Sequence, residues 1–294
     1  MLLRPAAPNE LGTRLAELII RVEQEQSAPP FGEVLMSAMQ DTATKSPGFA
    51  WEEEGRLLSY AFASVNPDGR VWTLEIADSS GQGERFLEAV AEGLPTVGID
   101  EAVLWLHTSA IEPPPSLFTH ERDLYRMGTD LPIPVVPEPL PEVKLTGFNV
   151  ERDAEALIAV NNRAFEGHPE QGNWSRDDLE RRVSLPWFDP EGVRIAWLDG
   201  RLAAFHWTKI HEQSESAGEV LGEIYVLAVD PAFHQRGLGR AIAWDGLEYL
   251  YRERQAKRAI LYVDAANLSA VNLYRKLGFQ VEHTDRAYRW RKVS

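Results

Sequence analysis

The chain has 294 residues, 44% of them hydrophobic, and a formal net charge of -15 at pH 7. That length supplies a substantial core, in one large domain or two of ordinary size. Cysteine is absent, which excludes disulfides, thiolate metal sites and a covalent thiol nucleophile. The acidic balance opposes non-specific binding to nucleic acid or anionic membrane, so an anionic ligand requires a locally built site. No stretch approaches the roughly 20 apolar residues of a membrane span, and the opening MLLRPAAPNE lacks the basic-then-apolar order of a signal peptide. The expectation is a cytoplasmic monomer with no metal, nucleic-acid or membrane partner.

In chain order, Arg56-Leu57-Leu58-Ser59-Tyr60-Ala61-Phe62 follows Gly55 and reads as a strand leaving a tight turn. Leu124-Tyr125-Arg126-Met127-Gly128 reads as a helical pattern ending on a Gly C-cap. Leu131 to Lys144 holds five prolines, which remove backbone donors and keep the chain extended. Residues 136–145 are therefore assigned to a linker between domains at 1–135 and 146–294. In the second half, Ala154 to Phe165 and Arg176 to Val183 read as helices. Val193 to Leu198 and Leu202 to Ile210 flank Asp199-Gly200, a hairpin signal. A strand from Glu219 to Val229, a helix from Leu238 to Tyr251, a short strand from Ala259 to Val263 and a helix from Ser269 to Leu277 follow, with a terminal strand pair from Phe279.

Antiparallel strands leading into a strand, helix, strand, helix, strand series imply an α/β fold with a mixed sheet covered by helices. The halves also rhyme. Arg201 to Trp207 resembles Arg56 to Phe62 at a spacing of 145 residues, and Leu273 to Gly278 resembles Leu124 to Gly128 at 149. Two matches at nearly one spacing imply a duplicated domain.

The stretch Val229-Asp230-Pro231-Ala232-Phe233-His234-Gln235-Arg236-Gly237-Leu238-Gly239-Arg240 joins a strand to a helix. Its glycines let main chain approach a ligand, and the unpaired amides and dipole of a helix N-terminus favour an anion even on an acidic protein. Arg236 and Arg240 add local positive charge. Further on comes Asn267-Leu268-Ser269-Ala270-Val271-Asn272-Leu273-Tyr274-Arg275-Lys276-Leu277-Gly278-Phe279.

This pair of motifs resembles the GCN5-related N-acetyltransferase (GNAT) superfamily. The resemblance implies two tandem GNAT-like acetyltransferase domains and acetyl-CoA as co-substrate. It assigns Leu227, Ala228 and Val229 to pairing with the pantetheine arm as an added strand would. His234 to Arg240 would hold the pyrophosphate, with Asn267 to Asn272 lining the other side. Acetyl transfer needs an uncharged amine, a polarised thioester carbonyl and a proton for the departing thiolate. Glu223, a lone carboxylate in the apolar strand Gly222-Glu223-Ile224-Tyr225-Val226, is the expected general base, because partial desolvation raises a carboxyl's pKa towards neutrality. Tyr274 is the expected proton donor. With no cysteine to carry an acyl group, direct attack in a ternary complex is the simpler scheme.

The cofactor motifs leave the amine open: an aminoglycoside, a polyamine and a protein amine all fit them, and so does a non-catalytic acetyl-CoA-binding module. Segments outside them narrow it. Asn161-Asn162-Arg163-Ala164-Phe165, His168-Pro169-Glu170-Gln171-Gly172, Pro186-Trp187-Phe188-Asp189-Pro190 and Phe205-His206-Trp207-Thr208-Lys209 resemble, in that order, the mycothiol synthase family. That resemblance implies a cysteinyl glucosaminyl inositol as acceptor, contacted by Glu170, Lys209, Glu223 and Tyr262, with Glu33 from the first half. The alternatives are a loop cap for Glu170, a solvated strand end for Lys209 and a core position for Tyr262. The first half departs from the active pattern: Ala77-Asp78-Ser79-Ser80-Gly81-Gln82-Gly83-Glu84-Arg85 is shortened and acidic, which weakens anion binding. The family also holds a coenzyme there along the strand matching Glu75, Ile76 and Ala77. The expected role of this half is support of the catalytic one.

Overall fold

The computed structural model describes residues 2–292 except 27, 41–45, 66–70, 108–109, 141, 169–170 and 212–219. It divides into two compact units, one of residues 1–125, 264–266 and 283–294 and the other of 126–263 and 267–282. Among the described residues no helix is long and apolar enough to cross a membrane.

The first unit runs β1 (Leu2–Pro5), α1 (Pro8–Leu11), α2 (Thr13–Gln26), α3 (Glu33–Gln40), β2 (Gly48–Glu53), β3 (Arg56–Val65), β4 (Trp72–Asp78), α4 (Gly83–Gly93), β5 (Glu101–Leu106) and β6 (Phe118–Asp130), whose last residues belong to the second unit. Strands β1 to β5 lie side by side, antiparallel except for the parallel pair of β4 and β5. Leu15, Leu18 and Val22 of α2 cover one face together with Tyr60 and Phe62. Phe86, Leu87 and Val90 of α4 cover the other against Phe49, Leu74 and Leu104. Period-two strands facing helices on both sides produce this layering.

The second unit runs β7 (Lys144–Gly147), α5 (Val150–Ala164), α6 (Arg176–Val183), β8 (Val193–Leu198), β9 (Arg201–His211), β10 (Leu221–Val229), α7 (Leu238–Arg252), β11 (Arg258–Asp264), α8 (Leu268–Lys276) and the first residues of β12 (Gln280–Arg291). Its strand order is β11-β10-β9-β8-β7, with β10 and β11 parallel and the rest antiparallel. The hairpin at Asp199-Gly200 has φ of 51° and 72°, the two left-handed residues that a tight primed turn requires. Each unit thus carries the same signature, a long hairpin strand, a central strand antiparallel to it, a helix, and a strand returning parallel.

Two local expectations change. Leu124–Gly128 lies inside strand β6 rather than ending a helix, because sheet pairing overrides the local helical spacing. The chain after Phe279 forms one strand of 12 residues instead of a strand pair.

Alternation along β9 sorts the core of the second unit. Phe205 and Trp207 face α5 with Trp174, Leu157 and Val226, and His206 faces α7. His206 is fully buried; its Nδ1–H donates to the Ile242 carbonyl at 3.1 Å, and burial lowers its pKa to about 4, so the ring is neutral at pH 7. A Cβ on Gly246 of α7 would lie 2.0 Å from this ring. Glycine costs a helix interior about 1 kcal/mol relative to alanine, and it is kept here because only a bare Cα lets α7 sit on β9. Gly246→Ala is therefore expected to destabilise the chain by roughly 1–3 kcal/mol despite its better helix propensity, measured as a lower midpoint in urea or thermal unfolding.

In the first unit, His107 lies between two buried carboxylates. Its Nδ1 is 3.0 Å from Asp285 and its Nε2 3.4 Å from Glu75. Burial disfavours the charged ring, but Asp285 and Glu75 outweigh it and raise the pKa to about 10. Since the unfolded ring titrates near about 6.5, its stabilisation is complete below that value and is lost as pH rises through about 10. Wild type should lose thermal stability between these limits more steeply than His107→Gln; parallel curves would contradict the assignment.

Candidate active site

Strand β10 pairs with β11 only from Leu221 to Ile224, but with β9 all the way to Val229. The β9 ladder shifts register between Ile224 and Val226, so Tyr225 is a bulge, and bulges increase local twist and redirect strands. The side of Leu227, Ala228 and Val229 that would face β11 therefore has no ladder partner among the described pairings. Such an edge offers main-chain donors and acceptors to an extended ligand.

Glu223 is the last but one residue of that parallel pairing and is 7% exposed. Its direct neighbour on β9 is Lys209, whose Nζ lies 4.0 Å from Glu223 Oε2. His211, two residues on and on the same face, places Nε2 2.7 Å from the same oxygen. A carboxylate oxygen has only lone pairs to offer, so the facing nitrogen is the donor. The sequence read Glu223 as a lone carboxylate among apolar neighbours; the fold gives it two basic partners instead. Lys209 is no solvated strand end, since its ammonium also lies 5.4 Å from the Trp187 ring centre. Trp187 in turn packs edge-on against Tyr225 at 5.0 Å and beside the fully buried Trp207.

After β10 the chain turns through Asp230, which is buried and accepts from Ala232 N–H and from Nε and Nη2 of Arg163. Burial opposes its charge, but Arg163 and the Ala232 amide overcome that and hold the carboxyl below its usual range. This anchored corner starts an exposed loop from His234 to Gly237. His234 Nε2 donates to the Val229 carbonyl at 3.2 Å, and Gln235 and Gly237 have φ of 63° and 78°. Gly237 is the N-cap of α7, and no side chain caps that helix. The first amides of α7, at Leu238, Gly239 and Arg240, therefore lack the usual capping partner, as an anion site requires. The Leu238 side chain is buried, so only its main chain serves a ligand.

Asn267 caps α8 through Oδ1, which accepts from Ala270 N–H at 3.1 Å. Leu268, Ser269 and Asn272 are exposed, Ala270 is half-buried, and Val271 is turned into the core. Tyr274 on the same helix is 7% exposed and meets Phe279 edge-on at 5.9 Å. Burial pushes its phenol well above the ordinary value, so it keeps its proton throughout the neutral range.

Of the other acceptor candidates, Tyr262 on β11 is 46% exposed, which removes the core alternative. Glu33 begins α3 in the first unit, and its side chain lies outside the description, as does all of Glu170. The sequence missed His211 and Trp187 as partners of the Lys209–Glu223 pair. Period-two spacing from Trp207 through Lys209 was the available signal for His211, since it places all three on one face.

The first unit holds a buried carboxylate on the strand equivalent to β10. Glu75 sits in β4, antiparallel to Phe62 of β3 and parallel to Trp105 of β5. Its Oε2 accepts from Gly32 N–H at 2.6 Å and its Oε1 faces His107. In the following turn Asp78 accepts from Ser59 Oγ, Ser80 N–H and Ser80 Oγ, placing a carboxylate at the corner that leads into α4.

The family profile described as the Acetyltransferase (GNAT) family matches residues 156–279. The chain is 44% identical over 237 residues to the mycothiol acetyltransferase of Thermobispora bispora, covering 79% of each protein. It is 38% identical over 264 residues to that of Thermobifida fusca, covering 80% of each. Its fold is similar to a GCN5-related N-acetyltransferase from Sphaerobacter thermophilus, with TM-score 0.72 and 17% identity over 99% of this chain and 95% of that one. A tandem GNAT protein from the clavulanic acid biosynthesis pathway gives TM-score 0.66 and 14% identity over 100% and 99% of the two chains. A strand edge and uncapped helix suited to a coenzyme, two units of one topology, and these relatives lead to one conclusion: the chain belongs to the mycothiol acetyltransferase family of GNAT proteins and is an acetyl-CoA-dependent acyltransferase.

Proposed function

We propose that the protein transfers the acetyl group of acetyl-CoA to the cysteinyl amine of 1D-myo-inositol 2-(L-cysteinylamino)-2-deoxy-alpha-D-glucopyranoside, giving mycothiol. The observation that carries the reading is Glu223, buried with Lys209 and His211 where the β10–β11 pairing ends, in a chain related over most of its length to mycothiol acetyltransferases.

Acetyl-CoA lies with its pantetheine arm along Leu227, Ala228 and Val229 and its pyrophosphate on the amides from His234 to Arg240. Asn267 to Asn272 border the other side of the coenzyme through main chain and exposed side chains. The unpaired strand edge and the uncapped start of α7 support this placement. Glu223 takes a proton from the acceptor ammonium, directly or through one water, and the freed lone pair attacks the thioester carbonyl. The tetrahedral intermediate expels the coenzyme thiolate with its electron pair, the Tyr274 hydroxyl supplies the thiolate's proton, and the surplus proton on the nitrogen is released as the amide forms, restoring the phenol. Burial keeps the Tyr274 phenol protonated at neutral pH, so its proton is present to be given when the thiolate departs. Lys209, Tyr262, Glu170 and Glu33 are the proposed contacts to the polyhydroxylated acceptor, whose ammonium and hydroxyls call for carboxylates and hydrogen-bonding groups.

Mixing purified protein with acetyl-CoA and the cysteinyl pseudodisaccharide should release coenzyme thiol, whereas a polyamine or an aminoglycoside should not. Release with a polyamine alone would replace the acceptor and keep the transferase. Glu223→Gln should bind acetyl-CoA normally but turn over about 10²- to 10⁴-fold more slowly at neutral pH, recovering in part as pH rises and free amine accumulates. Wild-type turnover by this variant would remove Glu223 as the base.

A further inference from the structure

The contacts around Glu223 are asymmetric. His211 Nε2 at 2.7 Å and Lys209 Nζ at 4.0 Å both address Oε2, which leaves Oε1 as the oxygen that meets an incoming proton. His211 is the last residue of β9, set opposite Leu221 at the start of β10. Its ring therefore reaches along the pleat to Glu223 from two positions away. A glutamate side chain has three rotatable bonds, and an unheld carboxylate samples many orientations. Two-point contact on one oxygen fixes which lone pairs face the amine.

Glu75 gives an internal comparison within the same chain. It lies on the equivalent strand β4 but opposite Phe62 rather than a basic residue, and Gly32 N–H and His107 approach its two oxygens separately. A buried glutamate on this strand is thus approached at both oxygens in one unit and at one oxygen in the other.

We propose that His211 is a positioning residue for acetyl transfer, holding Glu223 Oε2 through its Nε2–H so that Oε1 accepts the acceptor's proton. This rests on the reading of Glu223 as general base. His211 does not touch the reacting atoms; it acts through Glu223. No proton passes through the ring, because its Nε2–H is retained as a hydrogen-bond donor throughout the cycle.

The test is a double-mutant cycle in the full chain with acetyl-CoA and the cysteinyl acceptor. His211→Ala should lower kcat about 10- to 100-fold, the scale of one charge-assisted hydrogen bond, with KM and affinity for acetyl-CoA unchanged. His211→Gln, whose amide N–H can stand where the ring Nε2–H stood, should recover most of that loss; recovery excludes proton relay, since an amide does not exchange protons in this way. In a Glu223→Gln background, His211→Ala should cost nothing further, because non-additivity marks two residues acting as one unit. If His211→Ala keeps wild-type kcat while Glu223→Gln is impaired, the positioning role falls and the base assignment stands. Failure of His211→Gln to recover, or full additivity of the two losses, also overturns the positioning role. Wild-type kcat in Glu223→Gln overturns the base assignment itself, and this proposal with it.

Discussion

The active unit depends on a mismatch in strand length at one edge. β10 keeps its antiparallel ladder with β9 to Val229 but loses β11 after Ile224. A sheet interior normally satisfies its main-chain groups on both sides, so an interrupted ladder is a cost that folding tolerates only with support elsewhere. That support is visible. Trp207, Phe205 and Val226 fill the face beneath α5, and Gly246 lets α7 close on His206 from the other face. With both faces packed, the broken edge holds its shape, and Glu223 sits at the point where the two strands part company.

The same break connects chemistry to binding. Because α7 follows β10 through a turn anchored by the Arg163–Asp230 pair, its uncapped N-terminus is held next to the strand edge in sequence. On the proposed reading, coenzyme recognition there needs little cationic side-chain charge, as suits a protein with net charge -15. Main-chain amides and the helix dipole supply a local field that the global charge does not cancel. The first unit shares the strand order and also has a buried aspartate, Asp78, at the corner before its helix, while Glu75 accepts from Gly32 N–H.

Much of this was legible in the sequence because it is carried by local patterns. Asp199-Gly200 specified its hairpin, the strand, loop and helix around Gly237 appeared at the expected residues, and Tyr274 fell on the expected helix. What escaped depends on contacts between residues distant in the chain. Leu124–Gly128 has helical spacing but is claimed by the sheet. His211 has no motif of its own; it matters only because antiparallel register brings it to Glu223. Glu75 drew notice only as part of a strand, and its ties to Gly32 and His107 span long sequence separations. The pairing of buried Asp230 with the exposed Arg163, 67 residues away, was invisible for the same reason.

The edge of β10 that lacks a ladder partner among the described residues and the start of α7 are proposed to receive acetyl-CoA together. Amide hydrogen exchange with and without coenzyme A tests it most directly, since exchange reports main-chain hydrogen bonding rather than activity. Peptides covering residues 225–229 and 237–241 should both exchange more slowly when the coenzyme is bound, while those covering β8 should not change. Unchanged exchange in the first two segments at saturating coenzyme would contradict the account.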